Sequence, residues 1–329
     1  MQTFKSFEQV LYSVNDNTFK DIALSLFYEQ AKGNKIYRDF IGFLGIEPTS
    51  VDRVEKIPFL PITFFKSHLV TTGDWPHPEM IFTSSGTTRA IASRHVVPQL
   101  SFYLENSKRN FELFFGPLSD YHILALLPSY LEREGSSLIS MVDYFIKESK
   151  SAHAGFYLHN YQALLKKALE LKSGNRKVLL LGVSFALLEL AEKFEVDLSH
   201  CLIMETGGMK GKRREIIREE LHDFLQNRFG VKTIHSEYGM TELLSQAYSL
   251  KNGFYRSPPW MKVLVRDLND PFKPESIGKT GGINIIDLAN LYSCAFIETQ
   301  DLGKVLQNGC FEILGRFDNS DIRGCNLLV

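Results

Sequence analysis

Three apolar runs of strand length, at 121–127, 177–181 and 202–204, are each followed by a stretch whose apolar residues recur at helical spacing, at 136–147, 185–194 and 212–229. Short uninterrupted apolar runs suit strands buried on both faces, and a helix between them is what a parallel crossover needs. The alternation predicts an α/β fold with helices packed on a mainly parallel sheet. Ahead of it, the spacing predicts helices over 19–31 and 37–44, then an extended, partly buried connector through Pro48, Pro58 and Pro61. From Met80 the pattern predicts a short strand, a polar turn at 83–88, a second strand at 94–97 and a helix over 99–115. Beyond Gly253 the elements shorten, at 261–266, 282–287 and 311–314, with Gly and Pro between them. The expected organisation is therefore 1–75 for the N-terminal helices and connector, 76–252 for an α/β core, and 253–329 for a small β-rich subdomain.

Composition narrows the function classes. Of 329 residues, 44% are hydrophobic and 23% charged, and 37 Lys plus Arg nearly cancel 38 Asp plus Glu. That balance offers nucleic acid no electrostatic footprint. No stretch is apolar for long enough to span a bilayer, since the best run, 178–190, is broken by Gly182, Ser184 and Glu189. The opening residues include Lys5, Glu8 and Asp16 rather than the apolar core of a signal peptide, so a cytoplasmic protein is expected. The four cysteines, Cys201, Cys294, Cys310 and Cys325, form no Cys-x-x-Cys pair, which fits free thiols in a reducing compartment.

Three segments carry chemistry. The first, Thr83-Ser84-Ser85-Gly86-Thr87-Thr88, follows an apolar strand and consists of hydroxyl side chains around one glycine. Backbone N–H groups in such a turn converge on an anion, and the hydroxyls add donors without bulk. Taken alone it reads equally as a phosphate loop or a polar surface turn, and it lacks the Gly-Lys-Ser/Thr ending of a Walker loop. The second, His235-Ser236-Glu237-Tyr238-Gly239-Met240-Thr241-Glu242, follows a predicted strand at 231–234. Its carboxylate and hydroxyl are a donor pair for Mg²⁺ and a phosphate oxygen, or else a capped surface turn. The third, Glu298-Thr299-Gln300-Asp301-Leu302-Gly303, is followed by Gly315-Arg316-Phe317-Asp318. Asp301 with Arg316 suits ribose hydroxyls and phosphate, or a plain surface ion pair.

In this order the three segments resemble the adenylate-forming superfamily of acyl-CoA ligases, adenylation domains and luciferases. The resemblance implies the large N-terminal-type domain of that family, with mainly parallel sheets flanked by helices. It also implies ATP phosphates on Thr83 through Thr88, a nucleotide site at Tyr238 and Gly239, catalytic roles for Thr241 and Glu242, Mg²⁺ on Glu242, ribose on Asp301, and Arg316 at the hinge. Gly207 and Gly208, within Glu205-Thr206-Gly207-Gly208-Met209, stand where the family places a Gly pair against adenine. Further stretches resemble the LuxE-type acyl-protein synthetases: Ile57-Pro58-Phe59-Leu60-Pro61, then 127–133 with Ser129, Tyr130 and Arg133, then 205–211, and the ending Ser320-Asp321-Ile322-Arg323-Gly324-Cys325-Asn326-Leu327-Leu328. In that family a cysteine near the C-terminus takes the acyl group as a thioester, and Cys325 stands in the matching place.

The implied reaction is ATP-dependent activation of a fatty or aryl acid as an acyl-adenylate, then transfer to a thiol: Cys325, CoA or a carrier protein. An acyl-carrier, reductase or transferase protein is the kind of partner implied. Superfamily members continue beyond Gly-Arg-x-Asp into a small domain carrying a catalytic lysine; the sequence stops at Val329, so that domain is expected to be absent. After the two threonines the family usually has Gly, whereas here Arg89 follows and Arg94 is the candidate cation. Two other readings stay open. One is a nucleotide- or acyl-binding protein that has lost turnover. The other is a serine hydrolase built on Leu181-Gly182-Val183-Ser184-Phe185-Ala186, although its elbow lacks the final glycine.

Overall fold

The computed structural model describes residues 2–84, 91–127, 135–158, 160–207 and 217–317. The chain opens with three helices where the spacing predicts two: α1 (Gln2–Leu11), α2 (Asp16–Gly33) and α3 (Lys35–Phe43). Asn15 starts α2 by accepting from the Asn17 amide, and Asn34 starts α3 by accepting from Tyr37 N, which satisfies donors a helix start leaves open. The connector holds a two-residue strand β1 (Leu60–Pro61) and the short helix α4 (Phe64–Ser67). An antiparallel pair follows, β2 (Met80–Thr83) with β3 (Arg94–Val97), and then α5 (Leu100–Phe115).

The alternating stretch gives β4 (Tyr121–Leu126), α6 (Ser137–Ser149), β5 (Gly155–Phe156), α7 (Tyr161–Glu170), β6 (Lys177–Val183), α8 (Ser184–Lys193), β7 (Cys201–Thr206), α9 (Arg218–Phe229) and β8 (Ile234–Tyr238). The remainder is antiparallel: β9 (Ala247–Ser249), β10 (Phe254–Arg256), β11 (Met261–Arg266), β12 (Gly281–Asp287), β13 (Phe296–Val305) and β14 (Phe311–Arg316). The eighth strand begins where the sequence predicts one to end. Its Glu237 and Tyr238 are strand residues and not turn residues.

By contacts the chain divides into two compact units, His77–Pro258 in one and Met1–Pro76 with Pro259–Val329 in the other. In the His77–Pro258 unit, β5, β4, β6, β7 and β8 run parallel in that spatial order, and β9 and β10 continue it antiparallel. Every residue of β4 is buried, which accounts for a sequence run without polar alternation. Leu124, Leu180, Leu187, Ile203, Leu225 and Ile234 share one core cluster. At Gly182 a Cβ would stand 2.9 Å from Leu187 Cγ and 3.1 Å from Leu126 Cβ, so only glycine lets α8 lie this close to the sheet.

In the other unit, β11, β12, β13 and β14 form an antiparallel array, and β1 lies parallel to β13 with Leu60 opposite Ile297. Two buried amides hold the helices to this array. Gln30 Nε2 donates to the Asn290 and Leu291 carbonyls at 2.8 and 3.1 Å, while its Oε1 accepts from Ala295 N at 2.8 Å. Asn34 Nδ2 donates to Ser293 O at 3.0 Å. Tyr37 stacks on Phe296 with ring centroids 6.1 Å apart. No described helix is long and apolar enough to cross a membrane.

Candidate active site

Parallel sheets present their loops to ligands at the carboxyl ends of the strands. In the His77–Pro258 unit that edge carries the second sequence segment, after β8, while the first leaves β2 of the separate antiparallel pair. Thr83 ends β2 opposite Arg94, and its N–H donates to Gly135 O at 2.7 Å. Ser84 and Ser93 clasp the base of the Ser/Thr turn: Ser84 N donates to Ser93 O at 3.1 Å, and Ser93 N donates to Ser84 Oγ at 2.9 Å. One strand position later, His95 Nδ1 lies 2.7 Å from the Thr241 carbonyl. The two segments are thus brought together by one buried imidazole, 1% exposed.

The stretch after Glu242 is held from α5, whose Asn106 and Asn110 stand one turn apart. Asn106 Nδ2 donates to Leu244 O at 2.9 Å, and Asn110 Nδ2 donates to Gln246 O at 2.6 Å. Glu242 is 5% exposed and Glu237 6%. Glu237 accepts from the Thr206 hydroxyl on the neighbouring strand. Its Oε1 lies over Gly239, where a Cβ would come within 2.5 Å of it, so a side chain at position 239 would displace that carboxylate. Burial, reinforced by the charge of Glu237, pushes the Tyr103 and Tyr248 phenols well above their usual range and keeps both neutral.

In the unit formed by Met1–Pro76 and Pro259–Val329, Asp301 on β13 pairs with Arg316 on β14 as direct cross-strand neighbours, with Arg316 Nε 3.3 Å from Asp301 Oδ1. The Asp301 carboxylate is nearly buried while the Arg316 side chain is two-thirds exposed, so the pair is no solvated ion pair on the carboxylate side. Sequence reasoning missed Arg266 here. Its guanidinium, buried on β11, donates to Ile283 O at 2.9 Å, Asn284 Oδ1 at 2.8 Å and Thr299 O at 2.7 Å. It also lies 3.5 Å from Glu298 Oε1 and 5.8 Å from the Phe317 ring centroid. A Cβ on Gly282 would strike its Cζ at 2.5 Å. The signal for this contact was an arginine closing an alternating strand ahead of a Gly-Gly pair. An open groove of about 740 Å³ in this unit, lined by Ile57, Phe59, Val263, Phe272 and Ile277 among others, contains none of the predicted site residues.

Ser184 opens α8 with its hydroxyl donated to Glu205 Oε2 at 2.6 Å and is 3% exposed, an arrangement unlike an activated nucleophile. Gly207 is exposed just past the end of β7. Ser85, Gly86, Thr87, Thr88, Arg89, Gly208 and Cys325 lie outside the described residues, as do Ser129, Tyr130 and Arg133. Burial pushes the thiols of Cys201 and Cys294 up to about 12, so neither is a thiolate at neutral pH.

No protein-family model matches the chain, and no curated protein sequence matches it. Solved structures do. An open conformation of 2-hydroxyisobutyryl-CoA ligase, in complex with 2-HIB-AMP and CoA, aligns over 91% of this chain and 69% of its own, with a TM-score of 0.66 at 12% identity. The fold is that of the adenylate-forming enzymes. ATP-bound MatB from Rhodopseudomonas palustris aligns over 74% of this chain with a TM-score of 0.54 at 17% identity, and the chain spans about half its length, 49%. The luciferase-like enzyme of the mealworm Zophobas morio gives a TM-score of 0.50 at 15% identity, over 75% of this chain and 60% of its own.

Glu242, which is buried, and its chain neighbour Thr241 carry oxygen donors, the type Mg²⁺ takes alongside substrate phosphates and water, and among the described residues no group of three or more His, Cys, Asp or Glu side chains is placed to hold a metal ion by itself.

Proposed function

We propose that this protein activates a carboxylic acid with ATP and passes the acyl group to a thiol, as acyl-protein synthetases do. The observation that carries the reading is the His95–Thr241 contact, which joins the Ser/Thr turn to Thr241-Glu242 within an adenylate-forming fold. In this reading Thr83, Ser84, Ser85, Gly86, Thr87 and Thr88 hold the ATP phosphates through amides and hydroxyls. Gly207, Gly208, Tyr238 and Gly239 line the base. Glu242 would hold Mg²⁺, which supplies charge neutralisation when bound.

A carboxylate oxygen of a fatty or aryl acid attacks the α-phosphorus, the bond to the bridging oxygen breaks, and pyrophosphate leaves. A thiolate then attacks the acyl carbon, and AMP leaves with the electron pair of the broken anhydride bond. Cys325 is the acceptor in the acyl-protein synthetase reading, since it stands where that family carries the acylated cysteine. CoA or a carrier-protein thiol is the second reading, favoured by the CoA in the aligned 2-hydroxyisobutyryl-CoA ligase. Residues 76–252 serve as the nucleotide- and acyl-binding core, acting in the cytoplasm with an acyl-carrier, reductase or transferase protein to receive the product.

ATP–pyrophosphate exchange across a panel of carboxylic acids tests the reading, with mass spectrometry of the intact protein from the same mixtures. Acid-dependent exchange with an acyl adduct lost in Cys325→Ser is the expected result. Exchange without an adduct makes CoA or a carrier the acceptor, and no exchange with any acid overturns the activity.

A further inference from the structure

The α3 helix is apolar over more of its circumference than the fold covers. Tyr37 and Ile41, four residues apart, are its buried residues. Ile36, Phe40 and Phe43 recur at i, i+4 and i+7, the spacing of a second apolar line along the same helix. Ile36 and Phe40 are half-buried, and Phe43 is 91% exposed, more than any other large apolar side chain among the described residues. Phe40 extends the line to α4, where its ring meets Phe64 with centroids 5.8 Å apart, and Phe64 stacks on His68 at 5.4 Å. Phe43 stands on open backbone: a Cβ on Gly42 or on Gly45 would meet no atom within 4 Å beyond its own helix and chain neighbours.

A single exposed apolar side chain is ordinary, but a line that runs from half-buried to fully exposed marks a contact surface. Cations border it. Lys35 and Arg38 belong to α3, Arg38 Nη1 donates to Lys32 O at 3.4 Å, and Lys66 belongs to α4. The carboxylates there are Asp39, 3.2 Å from Lys35 Nζ and 3.9 Å from Arg38 Nε, and Glu47 beyond the helix. Four cations against two carboxylates leave this face positive, although the whole chain carries a net charge of −1.

Exposed Phe beside Lys and Arg is the chemistry of a surface that rests on anionic lipid. A stable protein interface takes about 800 Å² on each partner, with pockets that receive its anchors, and one side of a nine-residue helix offers less than that. Lipid closes around a protruding ring without a matching pocket. We propose that this side of α3, led by Phe43 and bordered by Lys32, Lys35, Arg38 and Lys66, docks the protein peripherally on an anionic lipid surface. Phe43 enters the boundary between head groups and acyl chains, and the cations face the lipid phosphates. No residue assigned to the proposed reaction lies on this line, so the attachment goes beyond that reading.

Flotation of the full chain with vesicles tests it, using phosphatidylcholine alone and an equal mixture of phosphatidylcholine and phosphatidylglycerol. The wild type is expected to float with the mixed vesicles and not with phosphatidylcholine, and raised salt is expected to release it. Phe43→Ser removes no buried group and should weaken partitioning about tenfold. Lys32→Gln combined with Lys35→Gln should weaken it about fivefold per lysine. A wild type that does not float with the mixed vesicles overturns the docking role, as does equal flotation of the wild type and both variants. A wild type that ignores vesicles and sediments as a dimer, reduced to monomer by Phe43→Ser, overturns it in favour of a contact between copies.

Discussion

His95 Nδ1 stands 2.7 Å from the carbonyl oxygen of Thr241, joining positions 146 residues apart. A carbonyl only accepts, so Nδ1 carries the proton and the ring tautomer is fixed by this contact. The imidazole ties β3, which leaves the Ser/Thr turn, to the turn that carries Glu242. Its placement in the interior leaves little slack, since side chains in packed cores have few alternative rotamers.

Replacing His95 by Ala removes the tie and leaves a buried carbonyl without that donor. The expected cost is about 1–3 kcal/mol of stability, read from urea unfolding. Acid-dependent pyrophosphate exchange is expected to drop roughly 100-fold, because a displacement of about 1 Å between reacting groups has that effect. Exchange at the wild-type rate would show that the two turns keep their relation without the imidazole.

Glu242→Gln keeps shape and hydrogen-bonding length while removing the charge. Exchange should fall by about two to three orders of magnitude, with the unfolding midpoint essentially unmoved. A titration with Mg²⁺ checks the assignment: the variant should need far more of the ion to reach its maximal rate. Unchanged turnover at low Mg²⁺ would take Glu242 out of that role.

Arg266→Lys tests the buried guanidinium. Lysine keeps the charge but cannot reach Ile283 O, Asn284 Oδ1 and Thr299 O together from one planar group. Breaking a buried charged network of this kind costs about 3–5 kcal/mol, which urea unfolding would register directly. A loss under about 1 kcal/mol would mean that the neighbouring strands hold without it.

Stability should fall on acidification in two steps. His235 and His122 are both held below the ordinary histidine value of 6.5, chiefly by burial, with His222 adding to the first and His153 and Arg176 to the second. Their folded forms resist protonation, so the unfolded chain binds protons first as pH drops through about 6.5. Their contribution is complete above that pH and lost below it. Glu205, held below its ordinary value of 4.5, adds a second loss once the unfolded carboxyl begins to protonate. Urea midpoints measured from pH 8 to pH 4 give the profile, and the double variant His122→Gln and His235→Gln should flatten the upper step.

The parallel half of the fold was legible because burial on both faces writes itself into contiguous residues. The runs at 121–127 and 177–181 correspond to β4 (Tyr121–Leu126) and β6 (Lys177–Val183). The ten-residue antiparallel strand β13 (Phe296–Val305) was not, because it alternates buried and half-buried positions and carries a register shift between Leu302 and Gly303. Its Glu298, Thr299, Gln300 and Asp301 read as a polar loop. The extent of β8 was misread for a similar cause, because Glu237 is a polar residue that the fold buries, with the Thr206 hydroxyl on β7 as its donor.

The sequence by itself determined the alternation of β4, β6 and β7 with α6, α8 and α9, and the three chemistry-bearing segments, since both rest on spacings within a few residues. Which segments meet was decided by the tertiary structure alone. His95 finds Thr241, Ser184 finds Glu205, and Arg266 finds Thr299 through backbone carbonyls and buried carboxylates that any sequence of the same pattern could offer. Hydrogen bonds of that kind depend on distance and direction in space, and neither is encoded by periodicity along the chain.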